Sequence, residues 1–346
     1  MIAVTVSLPL NKSFRSMEAA PATELPTGSE WQYEPKWDGF RCLAFRDGKR
    51  ITLVSKSGKP LTRYFPELIA AFSALRPQRF VLDGEIVLPI NGALSFDHLL
   101  MRIHPAISRI TKLSQEIPSL FLIFDLLVDN KGKSLFKLPL EDRRTHLENF
   151  ASRYLKTNHS LHLSPVTRKI AVARKWFHMG VALDGVIAKR RDLPYQSGER
   201  TGMLKIKRQR TADCVVGGFR YLEKRQVVGS LLLGLYNREG LLDHVGFTSS
   251  IQNNERPALT TKLRQLIKPP GFTGKAPGGP SRWTTKRSSE WQPLAPRLVV
   301  EVQFDHFTGG RFRHGTKLLR WRPDKAPKAC TMTQVERESR SALDLL

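Results

Sequence analysis

The segment YEPKWDGFR contains a lysine with the surroundings that a nucleophilic amine needs. Lys36 is predicted to lie at the start of a strand, where alternation places Asp38 on the same side of the chain. A lysine must lose its proton before its amine can attack an electrophile, and a cationic neighbourhood lowers its pKa. Gly39 leaves room for another group to approach the backbone closely. These residues alone are weak support, because a surface hairpin with a salt bridge has the same sequence pattern.

Five further polar segments follow Lys36 in a fixed order and strengthen this interpretation. They are Leu82-Asp83-Gly84-Glu85, Phe124-Asp125, Asp184 to Lys189, Lys205-Ile206-Lys207 and Arg322-Pro323-Asp324-Lys325. Lys205 and Lys207 alternate on a predicted strand, so both amines can point at one anionic group. Their charges are also expected to lower the pKa of Lys36.

In this order, the six segments resemble the nucleotidyltransferase motifs of ATP-dependent DNA ligases. Longer stretches are similar to the small bacterial ligases, which are free-standing relatives of the ligase domain in bacterial end-joining enzymes. These stretches are YEPKWDGFR, SKSGKPLTRYFPEL, LDGEIV, LKIKRQRTADCVVGGFR and RWRPDKAPKAC. The resemblance extends over about residues 18–335. It implies an α/β (α+β) nucleotidyltransferase, or adenylation, domain followed by an all-β OB-fold barrel domain.

The resemblance implies a reaction in three steps with Lys36 as the nucleophile. The amine attacks the α-phosphate of ATP, forms lysyl-AMP and expels pyrophosphate. AMP then passes to the 5′-phosphate at a nick in duplex DNA, and the 3′-hydroxyl displaces it. Lys205 and Lys207 are expected to face the α-phosphate as catalytic cations. Each step is a displacement at phosphorus, so positioning and charge neutralisation dominate catalysis.

Two carboxylates are expected from the resemblance to hold Mg²⁺, or Mn²⁺, through oxygen ligands. These are Glu85 and Asp184, with Asp38 near the ribose or a metal ion. Asp184 replaces the glutamate that is usual in the family and is one methylene shorter. Lys56 replaces the usual arginine near the 5′-phosphate end, and lysine lacks the planar fork that binds two oxygens at once.

The other expected contacts concern the nucleotide itself. Phe124 is expected to stack on adenine, although a plain core phenylalanine is the alternative. Glu34 is placed to meet the adenine amino group, and Arg41 to meet ribose or phosphate. Arg322 and Lys325 are expected to come from the second domain and orient the leaving pyrophosphate.

The pattern of apolar residues predicts two domains. Residues 1–30 are predicted to be an extended lead-in, 31–208 the adenylation domain, 209–335 the OB-fold domain and 336–346 a tail. In the first domain, an Asp-Gly turn in RDGKR predicts a hairpin.

Beyond residue 208, short strands separated by turn residues suggest a small Greek-key barrel. One helix is predicted over Pro257 to Ile267. The segment 268–293 is rich in Pro, Gly, Ser and Lys and is predicted to be a mobile loop.

The charge balance predicts a polyanionic partner. Lys and Arg number 56 against 31 Asp and Glu, a net charge of +25, which fits nucleic acid. Three distant cysteines, Cys42, Cys214 and Cys330, give no disulfide framework and favour a reducing, cytoplasmic and nucleoid-associated location. The cluster Lys189-Arg190-Arg191 is interpreted as a solvated face.

The expected partner is nicked duplex DNA, with a Ku-like end-binding protein as a candidate recruiter, a monomeric state and no membrane. One alternative keeps the fold but changes the substrate, giving an RNA ligase or an mRNA-capping guanylyltransferase. Labelling with ATP against GTP, and nicks in DNA against RNA, would separate these. A second alternative is a DNA-binding module without catalysis, which would form no covalent AMP adduct.

Overall fold

The computed structural model describes residues 8–179, 183–223, 225–278, 290–335 and 342–346. The chain divides into two compact units, Met1–Arg208 with Glu338–Leu346, and Gln209–Arg337. Each unit has its own hydrophobic core. Among the described residues, no helix is long and apolar enough to span a membrane.

The first unit is built on two sheets. Its strands are β1 (Ala20–Ala22), β2 (Trp31–Pro35), β3 (Phe40–Asp47), β4 (Arg50–Ser55), β5 (Arg79–Val87), β6 (Pro89–Ile90), β7 (Ala93–Leu94), β8 (Leu120–Val128), β9 (Leu161–Leu163), β10 (Gly185–Arg190) and β11 (Met203–Lys207). One sheet has the order β4-β3-β5-β8-β9 and the other β1-β11-β10-β2, with β6 and β7 as a separate hairpin. Five of the six polar segments therefore lie on, or directly beside, strands of these two sheets, and the segment Arg322 to Lys325 belongs to the second unit.

Local sequence explains the hairpin between β3 and β4. Asp47 pairs with Arg50 across a turn whose first residue, Gly48, has φ +62°. Glycine adopts this left-handed conformation without a steric penalty, so the Asp-Gly signal of the sequence specifies the turn. Strand β5 continues through the Asp83-Gly84-Glu85 segment, with a register shift against β8 between Asp83 and Gly84.

The described residues of the first unit form five α-helices. They are α1 (Pro66–Ala74), α2 (Phe96–Met101), α3 (Ile107–Glu116), α4 (Leu140–Tyr154) and α5 (Ile170–His178). Sequence analysis did not identify α3. Helix α4 packs on β8, and its Arg143 forms a buried ion pair with Asp125 of that strand at 2.9 Å. This ion pair ties the helix to the strand.

The lead-in is part of the first unit, which corrects the sequence-based boundary at residue 31. Strand β1 pairs in parallel with β11, with Pro21 opposite Lys205. The backbone N–H of Met17 donates to the Tyr195 hydroxyl at 2.8 Å. A composition rich in Pro and Ala gave no sign of these long-range partners. At the other end, residues 336–341 of the predicted tail lie outside the described residues, and Ala342–Leu345 form a short 3₁₀-helix against β7.

The second unit is the OB-fold domain. Its strands are β12 (Arg210–Leu222), β13 (Arg225–Tyr236), β14 (Leu242–Thr248), β15 (Gln292–Pro293), β16 (Val299–Phe304), β17 (Phe307–Thr308), β18 (Arg311–Phe312) and β19 (Lys317–Trp321). Within the described residues, the sheet has the order β14-β13-β12-β16-β19 and does not close into a continuous ring, although one bridge joins Thr248 to Thr316.

Helix α6 (Arg256–Arg264) packs on β13 of the second unit. Its buried Arg256 donates to the carbonyl of Val228 at 2.6 Å and thereby ties the helix to the sheet. Within the predicted loop 268–293, residues 279–289 lie outside the described residues. The part that is described includes Phe272, which packs edge-on against Trp291 and belongs to the core.

Candidate active site

A cavity of about 1020 Å³ lies in the first unit, between its two sheets. Most of the predicted site residues of this unit line it: Glu34, Lys36, Arg41, Lys56, Glu85, Phe124, Lys205 and Lys207. Asp38 and Asp184 do not line the cavity, but the charges of both raise the pKa of Lys36. One concave site thus gathers residues that are as far apart in the sequence as Glu34 and Lys207.

Lys36 follows the end of β2, which corrects the prediction that it starts a strand. Its N–H donates to the Gly185 carbonyl at 3.0 Å, and the Asp184 N–H donates to the Lys36 carbonyl at 2.9 Å. These two bonds hold the segments of Lys36 and Asp184 side by side. Gly39 has the predicted close approach, since a Cβ there would lie 2.1 Å from the Ile86 carbonyl oxygen. A side chain at this position would therefore push β5 away.

The Lys36 amine forms an ion pair with the Asp184 carboxylate, which also accepts Lys207 Nζ at 3.1 Å. Burial favours the neutral amine, but the attraction and hydrogen bond of Asp184, together with the charge of Glu85, outweigh it and raise the pKa of Lys36. The expectation of a lowered pKa was therefore wrong for this arrangement. Lys207 on β11 shares the Asp184 carboxylate with the Lys36 amine, so a negative charge accompanies the cation.

Lys205 and Glu85 also have shifted pKa values. Burial lowers the pKa of Lys205, and the charges of Lys207, Lys56 and Lys36 lower it further. Burial raises the pKa of Glu85 to about 7, against the opposing charges of Lys36 and Arg41. The site therefore contains an amine whose pKa is lowered and a carboxyl group whose pKa is raised, as is common at functional sites.

The carboxylates of the site offer oxygen ligands, which Mg²⁺ prefers, but too few to complete its coordination. Among the described residues, no cluster of three or more His, Cys, Asp or Glu side chains has metal-binding geometry. Mg²⁺ commonly binds through one or two carboxylates together with substrate phosphates and water. Glu85 and Asp184 fit that smaller donor set, and the raised pKa of Glu85 shows a carboxyl group whose charge is incompletely compensated.

Phe124 lies between cations at the inner end of the cavity. The guanidinium carbon of Arg41 lies 4.3 Å from the ring centroid, and Lys189 Nζ lies 4.5 Å from it. The ring is 6% exposed, so a base stacking on it requires a small shift of one of these side chains. Lys189 also forms an ion pair with Glu34 at 2.7 Å, which places the predicted adenine contact beside the aromatic ring.

The interpretation of Lys189-Arg190-Arg191 as a solvated face is wrong for Lys189. Arg190 and Arg191 pair with carboxylates near the surface, but Lys189 is buried and lines the cavity. The sequence could have indicated this difference, because neighbouring residues of a strand such as β10 face opposite sides of the sheet.

A second missed feature is the network that holds Arg41. The Arg41 guanidinium donates to both oxygens of Asp83 at 2.6 and 2.7 Å, and the Tyr195 hydroxyl donates to Asp83 at 2.6 Å. Asp83 is completely buried, so its carboxylate fixes Arg41 rather than capping a turn. Since Met17 N–H donates to the same hydroxyl, the chain before residue 31 is connected to the cavity wall.

Lys56 lies at the open side of the cavity, where its amine is half-exposed. Its Nζ lies 3.2 Å from a carboxylate oxygen of Glu18, and Arg200 contacts the same oxygen at 3.2 Å. Two cations beside one partly buried carboxylate leave a net positive edge, which fits the expectation of an anionic ligand near Lys56.

Arg322 and Lys325 belong to the second unit, as expected from the sequence. Arg322 Nη1 donates to Asp213 at 2.9 Å, and Lys325 Nζ lies 3.3 Å from the other oxygen of that carboxylate. Arg322 also contacts Asp324 within its own turn at 2.8 Å. Both cations are therefore held on β12 of their own unit.

Comparison with known proteins gives the class of this molecule. The profile of the ATP dependent DNA ligase domain matches residues 1–207, and that of the ATP dependent DNA ligase C terminal region matches residues 224–325. The chain belongs to the ATP-dependent DNA ligases. This family has a nucleotidyltransferase domain joined to an OB-fold domain, and it seals nicks through an adenylate intermediate.

Individual relatives agree with this assignment. DNA ligase C2 of Mycolicibacterium smegmatis is 41% identical, with 96% of each chain covered. The multifunctional non-homologous end joining DNA repair protein LigD of Mycobacterium tuberculosis is 32% identical over 86% of this chain and 37% of its own. A solved structure from a study of Lig E DNA ligases is 15% identical, covers 89% of this chain and 99% of its own with a TM-score of 0.55, and supports the fold alone.

Proposed function

We propose that Lys36 is the residue that carries AMP in this ligase and that the cavity around it binds ATP. The observation that carries this proposal is the gathering of Lys36, Lys205 and Lys207 on one cavity wall beside two carboxylates. Lys36 attacks as the neutral amine, while the charges of Lys205 and Lys207 neutralise the α-phosphate as it becomes five-coordinate. Positioning and charge neutralisation of this kind supply most of the rate in phosphoryl transfer.

The base is recognised at the inner end of the cavity. Glu34 accepts a hydrogen bond from the adenine amino group, and Phe124 provides an aromatic surface beside it. Arg41 is held by Asp83 and meets the ribose or a phosphate. ATP is preferred to GTP because a carboxylate that accepts from an amino group repels a carbonyl oxygen at the same position.

Activation of Lys36 requires that Asp184 release it. While the ion pair persists, the amine keeps its proton and cannot attack. When the carboxylate turns away, burial and the charge of Lys205 favour the neutral amine, against the remaining charges of Glu85 and Asp38. Asp184 therefore holds the nucleophile inactive until the nucleotide is in place.

Glu85 and Asp184 are the residues that would hold a divalent cation, with Asp38 close to them. When bound, Mg²⁺ or Mn²⁺ supplies positive charge that neutralises the phosphates of ATP. Asp184 is shorter than the glutamate of the family, so it reaches such an ion less far or through water.

The second unit supplies Arg322 and Lys325 to the pyrophosphate in the first step, and Lys56 contacts the 5′-phosphate end of the nick. The name of the LigD relative refers to non-homologous end joining, and we extend this to a Ku-like recruiting partner for the present chain. The enzyme acts as a monomer on duplex DNA at the nucleoid.

The test is to incubate the protein with α-labelled ATP and Mg²⁺ and then to add a nicked duplex. The wild-type protein is expected to become labelled and to pass the label to the DNA. Lys36→Ala is expected to take up no label, whereas it still seals a nick that already carries AMP, because the third step does not use the lysine adduct. Lys49→Ala, in the exposed β3–β4 turn, is the matched control. Label retained on Lys36→Ala would place the nucleophile elsewhere.

A further inference from the structure

The carboxylate of Asp213 contacts both cations that we assign to the pyrophosphate. Arg322 Nη1 donates to one of its oxygens at 2.9 Å, and Lys325 Nζ lies 3.3 Å from the other. The Asp213 side chain is 11% exposed, and that of Arg322 is 18% exposed. A carboxylate with so little solvent around it binds its cations more firmly than a surface group does.

The backbone of Asp213 is fixed on both sides. Its N–H donates to Gln334 Oε1 at 3.0 Å, and Gln334 Nε2 donates to its carbonyl at 3.1 Å. Asp213 also lies opposite Glu301 in the pairing of β12 with β16. The carboxylate therefore projects from a rigid part of the second unit.

The two cations, in contrast, come from a turn with long side chains. The turn is closed by the Lys325 N–H donating to the Arg322 carbonyl at 3.2 Å, and Arg322 N–H is tied to the Val299 carbonyl at 2.8 Å. These bonds fix the backbone but not the side chains, and lysine and arginine side chains have many rotamers. A common carboxylate reduces this freedom and holds the two charges side by side.

We propose that Asp213 is a positioning residue for the first step, which presents Arg322 and Lys325 together to the pyrophosphate. This inference rests on the proposed function of those two cations. Asp213 does not itself touch the nucleotide. It acts by limiting the positions of two side chains that do, and a pair of cations already side by side binds a diphosphate with less loss of entropy.

The reversal of adenylation gives a direct readout. In that reaction pyrophosphate attacks the phosphorus of lysyl-AMP, the P–N bond breaks, ATP forms and the amine is released. Pyrophosphate is then a substrate with its own KM. If Asp213 positions the cations, its removal raises the KM for pyrophosphate and for ATP but leaves the sealing of a pre-adenylylated nick unchanged.

The experiment compares Asp213→Asn with the wild-type enzyme in pyrophosphate-driven loss of labelled AMP. We expect a rise in the KM for pyrophosphate of about tenfold, with step-three sealing close to wild type. Asp213→Glu keeps the charge and is expected to recover part of the effect. Glu301→Gln is the matched control, because its carboxylate lies opposite Asp213 but contacts mainly Arg320, at 2.6 Å, and Arg322 only at 3.9 Å.

The KM for pyrophosphate and the rate of step-three sealing together test the role of Asp213. An unchanged KM for pyrophosphate in Asp213→Asn overturns the inference, as does an equal loss of adenylation and step-three sealing, which indicates a structural role. If Asp213→Asn does not fold, Asp213→Ser, which also removes the charge, takes its place: an unchanged KM for pyrophosphate overturns the inference, and a raised KM with normal sealing supports it. A normal KM for pyrophosphate in Lys325→Ala would instead refute the assignment of this cation to pyrophosphate and hence the proposed function.

Discussion

The Glu34 carboxylate and Lys189 Nζ lie 2.7 Å apart in the cavity wall, and both side chains are almost completely buried. They come from adjacent antiparallel strands, β2 and β10, on which Gln32 is the direct partner of Lys189. A buried charge without its partner is costly, since the protein interior solvates it poorly. If Glu34 binds the adenine amino group as proposed, this pair couples recognition of the base to the stability of the first unit.

We expect Lys189→Met to lower the free energy of unfolding by about 3–5 kcal/mol, because it leaves Glu34 charged and buried. The double variant Glu34→Gln with Lys189→Met is expected to recover much of this loss. Urea unfolding of the two single variants and the double variant measures the coupling. Asp192→Asn, which removes an exposed partner of Arg190, is the control and should cost less than about 1 kcal/mol. Additive losses in the double variant would contradict the coupling.

A second prediction concerns pH. Burial raises the pKa of Glu85 to about 7, whereas its ordinary value is 4.5. The protonated form is thus favoured in the folded state, so this stabilisation is present below pH 4.5 and is lost as the pH rises towards 7. We therefore compare the wild type with Glu85→Gln in a buffer that contains a chelator to remove divalent cations. As the pH rises from 4.5 to 7, the free energy of unfolding of the wild type should fall relative to that of the variant, by about 1–3 kcal/mol.

Thermal or urea unfolding at several pH values between 4.5 and 8 checks this difference. Glu24→Gln removes the same charge from an exposed position and should follow the wild-type curve. Parallel curves for Glu85→Gln and the wild type would mean that Glu85 is not held in a poorly solvated site.

Much of the site could be predicted because its signals are local or ordered along the chain. The Asp-Gly turn follows from the conformational freedom of Gly48, and the alternation of Lys205 with Lys207 places both amines on the cavity wall. Helix α3 had a signal that was missed, with Ile107, Ile110 and Leu113 at helical spacing.

Other features depend on partners that no local pattern reveals. The burial of Lys189 requires Glu34, which is far away in the sequence. The raised pKa of Lys36 depends on Asp184, which the fold brings next to the amine through two backbone hydrogen bonds. Strand β1 forms only by pairing with β11, which is distant in the sequence. The local composition, rich in Pro and Ala, therefore predicted an extended lead-in and not a strand.

The net charge of +25 gives a third prediction. Each phosphate that a cation neutralises releases counterions, so the affinity for a nicked duplex should fall steeply with salt. If about six phosphates are contacted, the affinity falls roughly a thousandfold between about 50 and 200 mM salt. Fluorescence anisotropy with a labelled nicked duplex measures the slope, and a Kd independent of salt would exclude an interface based on phosphates.

The last prediction concerns Tyr195, whose hydroxyl connects the beginning of the chain to the cavity. This hydroxyl donates to the fully buried Asp83 at 2.6 Å and accepts from Met17 N–H at 2.8 Å, and Asp83 in turn fixes Arg41. Tyr195→Phe keeps the ring but leaves a buried acceptor and a buried donor each short of a partner. The expected cost is about 1–3 kcal/mol of unfolding free energy.

The KM for ATP in adenylation should also rise for Tyr195→Phe, because Arg41 is then less firmly held against Phe124. Tyr154→Phe is the matched control, since its hydroxyl only accepts a bond from Asn130 at 3.3 Å in an exposed position. Urea unfolding and single-turnover adenylation of both variants provide the two measurements. If Tyr195→Phe behaved like Tyr154→Phe in both, the segment before residue 31 would have no part in shaping the nucleotide site through this hydroxyl. A loss of stability with an unchanged KM would restrict the hydroxyl to holding the fold.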